Sequence, residues 1–286
     1  MLKACRTFFD ERGVIEVDCP ALSGYPNLDA NVESMQVDAG GRAPYYLHTS
    51  PEYAMKPLLA HGSGDIYYLG HVFRKGEWGP RHSPEFTMIE WYRVGMSFDG
   101  CMDETCALLR LFLGPLSQEI VSYTEAFKRY VGLDPWVDPL SDTCRDNGAS
   151  AQITDSPRDV QLSFLMSRCI EPKLGQGRIT LITDYPPHEA ALSRTTSKGG
   201  RLVALRFEAY YQGVELANGY HELNDPQEIL RRLTQEAARR PGPTPPITPH
   251  LTQNTLPDAC GVSVGFDRAL MLQEQAPTLA EVLANN

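Results

Sequence analysis

The chain has no apolar run long enough to span a bilayer, which excludes a helical membrane anchor. It has no Cys-x-x-Cys pair. Its seven cysteines are an odd number, and the nearest two, Cys101 and Cys106, have no histidine at metal-site spacing. That excludes a structural zinc centre and predicts free thiols in a reducing compartment. Basic residues are scarce: 26 Lys and Arg stand against 36 Asp and Glu, a net charge of −10, which argues against a broad grip on a phosphate backbone. Internal repeats are absent. The first residues, Met1 to Arg6, lack the basic, apolar, small-residue order of a signal peptide, so a cytoplasmic protein is expected. What remains is 42% hydrophobic and 22% charged over 286 residues, enough for one large domain with an ample core.

Leu2, Cys5 and Phe9 recur at helical spacing, with Gly13 placed to end the helix, and Val14 to Val17 reads as a strand. Pro51 and Glu52 open a second helix, because proline suits the first turn and glutamate suits the dipole there. Helical patterns follow over 103–113 and 117–130, then a polar, turn-rich stretch over 138–160 that reads as an excursion from the core. Ile179 to Ile182 and Leu202 to Leu205 read as strands. Residues 227–240 form a helix whose arginines suit a solvated face, ending in a proline-rich connector at 241–246. The chain closes with a strand, Val262-Ser263-Val264, and a helix from Phe266. The fold class is α+β: a single domain over 1–286, a mainly antiparallel sheet flanked by helices.

Three constellations carry chemistry. The first runs from Val72-Phe73-Arg74-Lys75-Gly76-Glu77 through His82 to Glu90-Trp91-Tyr92. It reads as strand, polar loop and return strand, with an arginine suited to an anion and acids suited to a cation. Alternation puts Phe86, Met88, Glu90 and Tyr92 on one face. That face makes a cationic pocket, unless Glu90 points to solvent. The second surrounds Gln212-Gly213, a two-residue hairpin turn that sets Glu208 diagonal to Glu215. Diagonal positions lie roughly 7–8 Å apart at the backbone. A cation between these two acids, or two solvated acids on an edge, satisfies that spacing. The third is Gly265-Phe266-Asp267-Arg268. A first-turn arginine opposes the helix dipole, which a polyphosphate or a neighbouring acid would offset.

Together these blocks resemble the three signature motifs of class II aminoacyl-tRNA synthetases, and of the lysyl branch in particular. The resemblance rests on Phe8-Phe9-Asp10-Glu11-Arg12-Gly13 through Pro20, Thr49-Ser50-Pro51-Glu52-Tyr53 and His82-Ser83-Pro84-Glu85-Phe86-Thr87-Met88. It rests also on Glu215-Leu216-Ala217-Asn218-Gly219-Tyr220-His221-Glu222-Leu223 and Gly265-Phe266-Asp267-Arg268. The matches cover nearly the whole chain, in order. No room is left for an anticodon-binding domain, so the chain resembles the truncated lysyl-tRNA synthetase paralogues that attach β-lysine to elongation factor P.

That resemblance implies a homodimer with a six-stranded antiparallel sheet, an aminoacyl-adenylate intermediate, and ATP and Mg²⁺ as cofactors. It implies elongation factor P as partner, with no stable tRNA binding. Arg74 would clamp the ATP α-phosphate, Phe86 would stack on adenine, His82 would lie near the triphosphate and Arg268 at its far end. Glu208 and Glu215 would hold Mg²⁺. Glu52 would meet the substrate's backbone-side ammonium, Glu90, Tyr92 and Glu222 its side-chain ammonium, and Asn218 its carboxylate. Ser50 and Ser263 stand where lysyl-tRNA synthetases usually carry alanine and glycine, which suits a displaced amino group. Gly76 stands where the family has a glutamate, with Glu77 next, and Ser83 where it has asparagine. Competing expectations are a lysyl-tRNA synthetase catalytic fragment and a non-catalytic, adenylate-sensing paralogue. The retained Arg74, Arg268, Glu208 and Glu215 oppose the latter.

Overall fold

The computed structural model describes residues 1–29, 32–40, 44–239, 247, 251–252 and 255–283. The proline-rich connector at 241–246 lies outside the described residues. The chain divides into two compact units, one of Met1–Gly114, Ala191–Arg194 and Gly219–Asn286, the other of Pro115–Ala190 and Thr195–Asn218.

In chain order the first unit begins with α1 (Leu2–Asp10), β1 (Ile15–Glu16), β2 (Leu22–Ser23), β3 (Gln36–Val37), β4 (Tyr45–Leu47), α2 (Glu52–Ala60), β5 (Ile66–Phe73), β6 (Glu85–Val94) and α3 (Phe98–Leu113). The second unit carries β7 (Gln118–Ser122), α4 (Tyr123–Tyr130), α5 (Ser141–Asp146), α6 (Ala151–Thr154), α7 (Arg158–Leu165), β8 (Ile179–Tyr185), β9 (Thr195–Lys198) and β10 (Arg201–Tyr211). Strand β11 (Val214–His221) begins in the second unit and ends in the first, which then adds α8 (Pro226–Arg239), β12 (Ala259–Gly265) and α9 (Phe266–Gln273). The α+β expectation holds.

In the first unit the strands lie in the order β1-β5-β6-β12, with β6 antiparallel to both β5 and β12. The register sets rows across the sheet. Ile66, Tyr92 and Gly261 share one row, and Tyr68, Glu90 and Ser263 the next but one. Strand alternation sends these rows to one face, where Met55 and Leu59 of α2 and Ile229 and Leu233 of α8 pack with Ile66, Tyr68 and Met88. Each fully buried aliphatic side chain there contributes about 2 kcal/mol. The opposite face buries Tyr67, stacked on Phe9 of α1 at 4.3 Å, and Trp91, whose indole donates to Glu104 of α3 at 3.0 Å.

The sheet is not purely antiparallel. Strand β1 runs parallel to β5, and in the second unit β7 runs parallel to β8 while β8 and β10 are antiparallel. Parallel neighbours need long crossovers, and here α2 lies between β1 and β5 and α4 to α7 lie between β7 and β8. The helix expected over 117–130 therefore starts only at Tyr123, Ser122 capping it by accepting from the Glu125 amide. Residues 118–122 are strand because β8 offers them a ladder.

The stretch over 138–160 also departs from expectation. It folds as short helices whose Leu140, Cys144 and Leu162 join the buried cluster of the second unit. Gln161, buried, donates to the carbonyls of Thr154 and Ser156. The polar composition is thus split, with Asp142 and Arg145 meeting solvent while Gln161 closes helix ends from within. The arginine face of α8 is likewise only partly solvated, because Arg232 donates to the Ala191 and Ser193 carbonyls at 2.8 and 2.7 Å.

Candidate active site

In the first unit α2, β6 and the segment after β11 bring acids together around an unexpected cation. Glu52 opens α2, and one turn later Lys56 points the same way. Lys56 is 2% exposed, and its Nζ lies 2.5 Å from Glu52 Oε1 and 2.8 Å from Glu222 Oε2. Burial pulls its pKa down, but the Glu222 and Glu52 carboxylates outweigh that and hold the ammonium above the ordinary lysine range.

Glu90 sits beside this cluster, 4% exposed, so the solvent-facing alternative is excluded. Its two oxygens accept from Ser50 Oγ and Tyr92 Oη, both at 2.9 Å. Burial and then the nearby Glu52 charge raise its carboxyl to about 8, against the pull of those two hydrogen bonds. Burial also raises Glu222, to about 7, with Lys56 opposing. Ser50 serves twice, since it also accepts from the Glu52 amide at 3.0 Å. Ser263 lies directly across the ladder from Glu90.

The floor of this cluster is bare backbone. A Cβ on Gly261 would lie 2.3 Å from Glu222 Oε1 and 2.5 Å from Tyr92 Cε1. Strand β12 thus carries glycine because two site side chains lie flat on it.

The hairpin joining β5 and β6 supplies the anion-facing groups of the same unit. Arg74 lies 5.1 Å from the Phe86 ring centroid in a cation–π arrangement. Its Nη1 is 3.7 Å from Glu77 Oε1, so Glu77 is the acid that reaches this arginine. Its Nε donates to the Thr49 carbonyl at 3.3 Å, one residue before Ser50. The arginine therefore borders the acid cluster. Arg268, in the first turn of α9, donates to the Arg81 carbonyl at 3.1 Å. Burial and then the Arg268 charge pull the His82 pKa down, with Glu77 opposing and Arg74 adding to the pull. These cations make a place for an anion. Asp267, its neighbour in the chain, is buried and accepts the Thr87 amide at 2.6 Å.

The remaining predicted residues, Glu208, Glu215 and Asn218, belong to the second unit. Gln212 and Gly213 both have positive φ, 50° and 69°, the signature of the expected two-residue turn, flanked by Tyr211 and Val214. Glu208 is buried. Its Oε2 accepts from Tyr185 at 2.6 Å and Tyr210 at 2.5 Å, and its Oε1 accepts from Arg206. A carboxylate offers about four lone-pair sites, so Glu208 keeps one, oriented by two tyrosine hydroxyls in the manner of a metal ligand's outer partners. Glu215 is half-buried on β11. No group of three or more His, Cys, Asp or Glu able to hold a metal occurs among the described residues. Two hard carboxylates fit Mg²⁺ only if phosphates and water complete its shell, which is its usual habit.

Sequence reasoning missed Lys56. Its only sequence signal was its place one turn after Glu52 on the same helix face.

Residues 1–285 match a family model described as tRNA synthetases class II (D, K and N). The chain is 40% identical over 293 residues to a Haemophilus ducreyi protein named Elongation factor P--(R)-beta-lysine ligase, covering 98% of this chain and 89% of that one. Proteins of the same name from Vibrio cholerae and Edwardsiella ictaluri are 41% identical over 288 residues and 39% identical over 300. These alignments cover 95% of this chain and 88% of the Vibrio protein, and 99% of this chain and 92% of the Edwardsiella protein. A family match from residue 1 to residue 285, with relatives about 40% identical over nearly the whole chain, means that the chain belongs to the class II tRNA synthetases.

Proposed function

We propose that the chain uses ATP to activate (R)-β-lysine, or lysine, as an adenylate and transfers it to a lysine side chain of elongation factor P. The observation that carries this reading is the acid cluster of half-buried Glu52 with buried Glu90 and Glu222, which borders Arg74 through Thr49. Lys56 offsets only one of the three acids, so a neutral amino acid would leave the cluster short of positive charge, whereas a ligand with two ammonium groups supplies it. The printed names of the relatives supply the acceptor.

In the activation step the substrate carboxylate oxygen attacks the ATP α-phosphorus, and pyrophosphate leaves. In the transfer step the acceptor amine attacks the acyl carbon, AMP leaves with the bonding pair, and the amine loses a proton. Neither step needs a protein nucleophile, so catalysis is positioning and charge stabilisation. Arg74 is assigned to the α-phosphate, Phe86 to adenine, and His82 and Arg268 to the outer phosphates. Glu52 takes the backbone-side ammonium and Asn218 the carboxylate. Glu90, Tyr92 and Glu222 take the side-chain ammonium, with Ser50 and Ser263 shaping that end. Glu208 and Glu215 would hold Mg²⁺, which neutralises phosphate charge when bound. The working form is taken as a cytoplasmic homodimer. No helix among the described residues is long and apolar enough to cross a membrane.

The test is incubation with ATP, Mg²⁺ and labelled (R)-β-lysine, offering elongation factor P and bulk tRNA together. Label on the protein is expected. Label on tRNA would make the chain a synthetase catalytic fragment, and label on neither would sink the reading.

A further inference from the structure

The acid cluster carries a charge count that the fold has already partly settled. Glu52, Glu90 and Glu222 supply three carboxylates, and Lys56 supplies one ammonium from within the chain, 2.5 Å from the first and 2.8 Å from the last. Lys56 has no route to solvent at 2% exposure. A lone buried ammonium is among the most costly groups a core can hold. A lysine kept here at all implies that the acids on either side need it.

We propose that Lys56 is the positioning residue that sets the charge of the amino-acid pocket. Its ammonium bridges Glu52 and Glu222 and offsets one of the three acids of the cluster, leaving two for a ligand bringing two ammonium groups. The inference rests on the function proposed above and deepens it by naming how the pocket selects a diammonium substrate. Because Lys56 stays protonated between its partners, it is not itself an acyl acceptor.

The groups facing Glu222 are few. Lys56 and Glu52 come from α2, Tyr92, bonded to Glu90, from β6, and Cys101 from α3. Arg194, ahead of β9, donates through Nε to the Glu222 carbonyl at 2.9 Å. Among these only Lys56 and Arg194 are cationic, and Arg194 also pairs with Asp258 at 2.8 Å. Removing Lys56 therefore leaves Glu222 facing Glu52 with one shared cation. Its carboxyl would rise further above about 7, and near neutral pH it would carry a proton in place of receiving an ammonium.

The experiment measures amino-acid-dependent ATP–pyrophosphate exchange for wild type, Lys56→Met and Lys56→Arg across about pH 6.5 to 9, with thermal melts of each. In Lys56→Met the KM for the amino acid should rise about tenfold near pH 7 and return to within about threefold of wild type near pH 9, with kcat changed less than about threefold. Lys56→Arg, which restores the charge, should recover most of the loss at every pH. A KM raised by one constant factor at all pH values, or not raised, would overturn the proposal. Should Lys56→Met fail to show a melting transition, Lys56→Arg decides. A wild-type pH profile supports the charge role, and a pH-independent loss overturns it. Absence of exchange in the wild type with either lysine isomer would instead remove the functional reading, and this inference with it.

Discussion

Ser50 Oγ donates to Glu90 Oε2 at 2.9 Å while accepting the Glu52 amide at 3.0 Å, so one hydroxyl fixes two acids of the site. Ser50→Ala removes a donor from a carboxylate that burial already pushes toward its neutral form. The lost bond to a charged group costs on the order of 1.5 kcal/mol, or about tenfold in KM for the amino acid. ATP-dependent steady-state kinetics check this, and an unchanged KM would mean that the Ser50–Glu90 bond does not orient the acid.

Glu90 also sets a pH dependence of stability. Its folded carboxyl lies at about 8 against an ordinary 4.5, so the folded state binds this proton more tightly than the unfolded chain. Its contribution is present below the unfolded pKa and lost as pH rises through the folded one. Glu90→Gln cannot ionise. Without substrate it should melt several degrees above wild type near pH 8.5, at about 2–4 °C per kcal/mol, and level with it near pH 5. Amino-acid binding should be lost in the same variant. A melting gap constant with pH would contradict the assignment.

Arg268 and Arg74 meet only electrostatic demands in the proposed chemistry. Arg268→Ala should lower ATP–pyrophosphate exchange by about a hundredfold to a thousandfold, the usual cost of one charge-stabilising donor. The side chain is half-buried at the start of α9, so the melting temperature should move by less than about 2 °C. Elution on size exclusion should not change. Retained exchange would remove Arg268 from the nucleotide site.

Gly261 is constrained by space rather than by backbone angle. An added Cβ would meet Glu222 Oε1 at 2.3 Å and the Tyr92 ring at 2.5 Å. Gly261→Ala should displace Glu222 from Lys56, lower stability by about 1–3 kcal/mol, and weaken amino-acid binding more than ATP binding. Calorimetric titration with each ligand separates the two losses.

Most of the architecture was legible because its signals are local. The Gln212-Gly213 turn, the proline and glutamate opening α2, and the alternation of Phe86, Met88, Glu90 and Tyr92 all lie within a few residues of what they determine. The failures share a cause in distant partners. Strand β7 exists because β8 pairs with it, and a five-residue segment ahead of a capped helix carries no mark of that. The short helices around Cys144 and Gln161 are too brief to show a period. Lys56 read as an ordinary helical lysine, because nothing near it in the sequence announces that Glu222 waits on another strand's extension.

All seven cysteines are buried. Burial pushes the thiol of Cys5 up to about 11 and those of Cys19 and Cys106 to about 12. At neutral pH such thiols are almost entirely protonated and shielded, so maleimide reagents meet little native background. A cysteine placed at Trp78, 80% exposed in the loop that follows Arg74 and Glu77, would take a fluorophore nearly alone. The fold thus offers a ready single-label enzyme, in which the arrival of the acceptor protein could be timed in a fluorimeter without first removing any native cysteine.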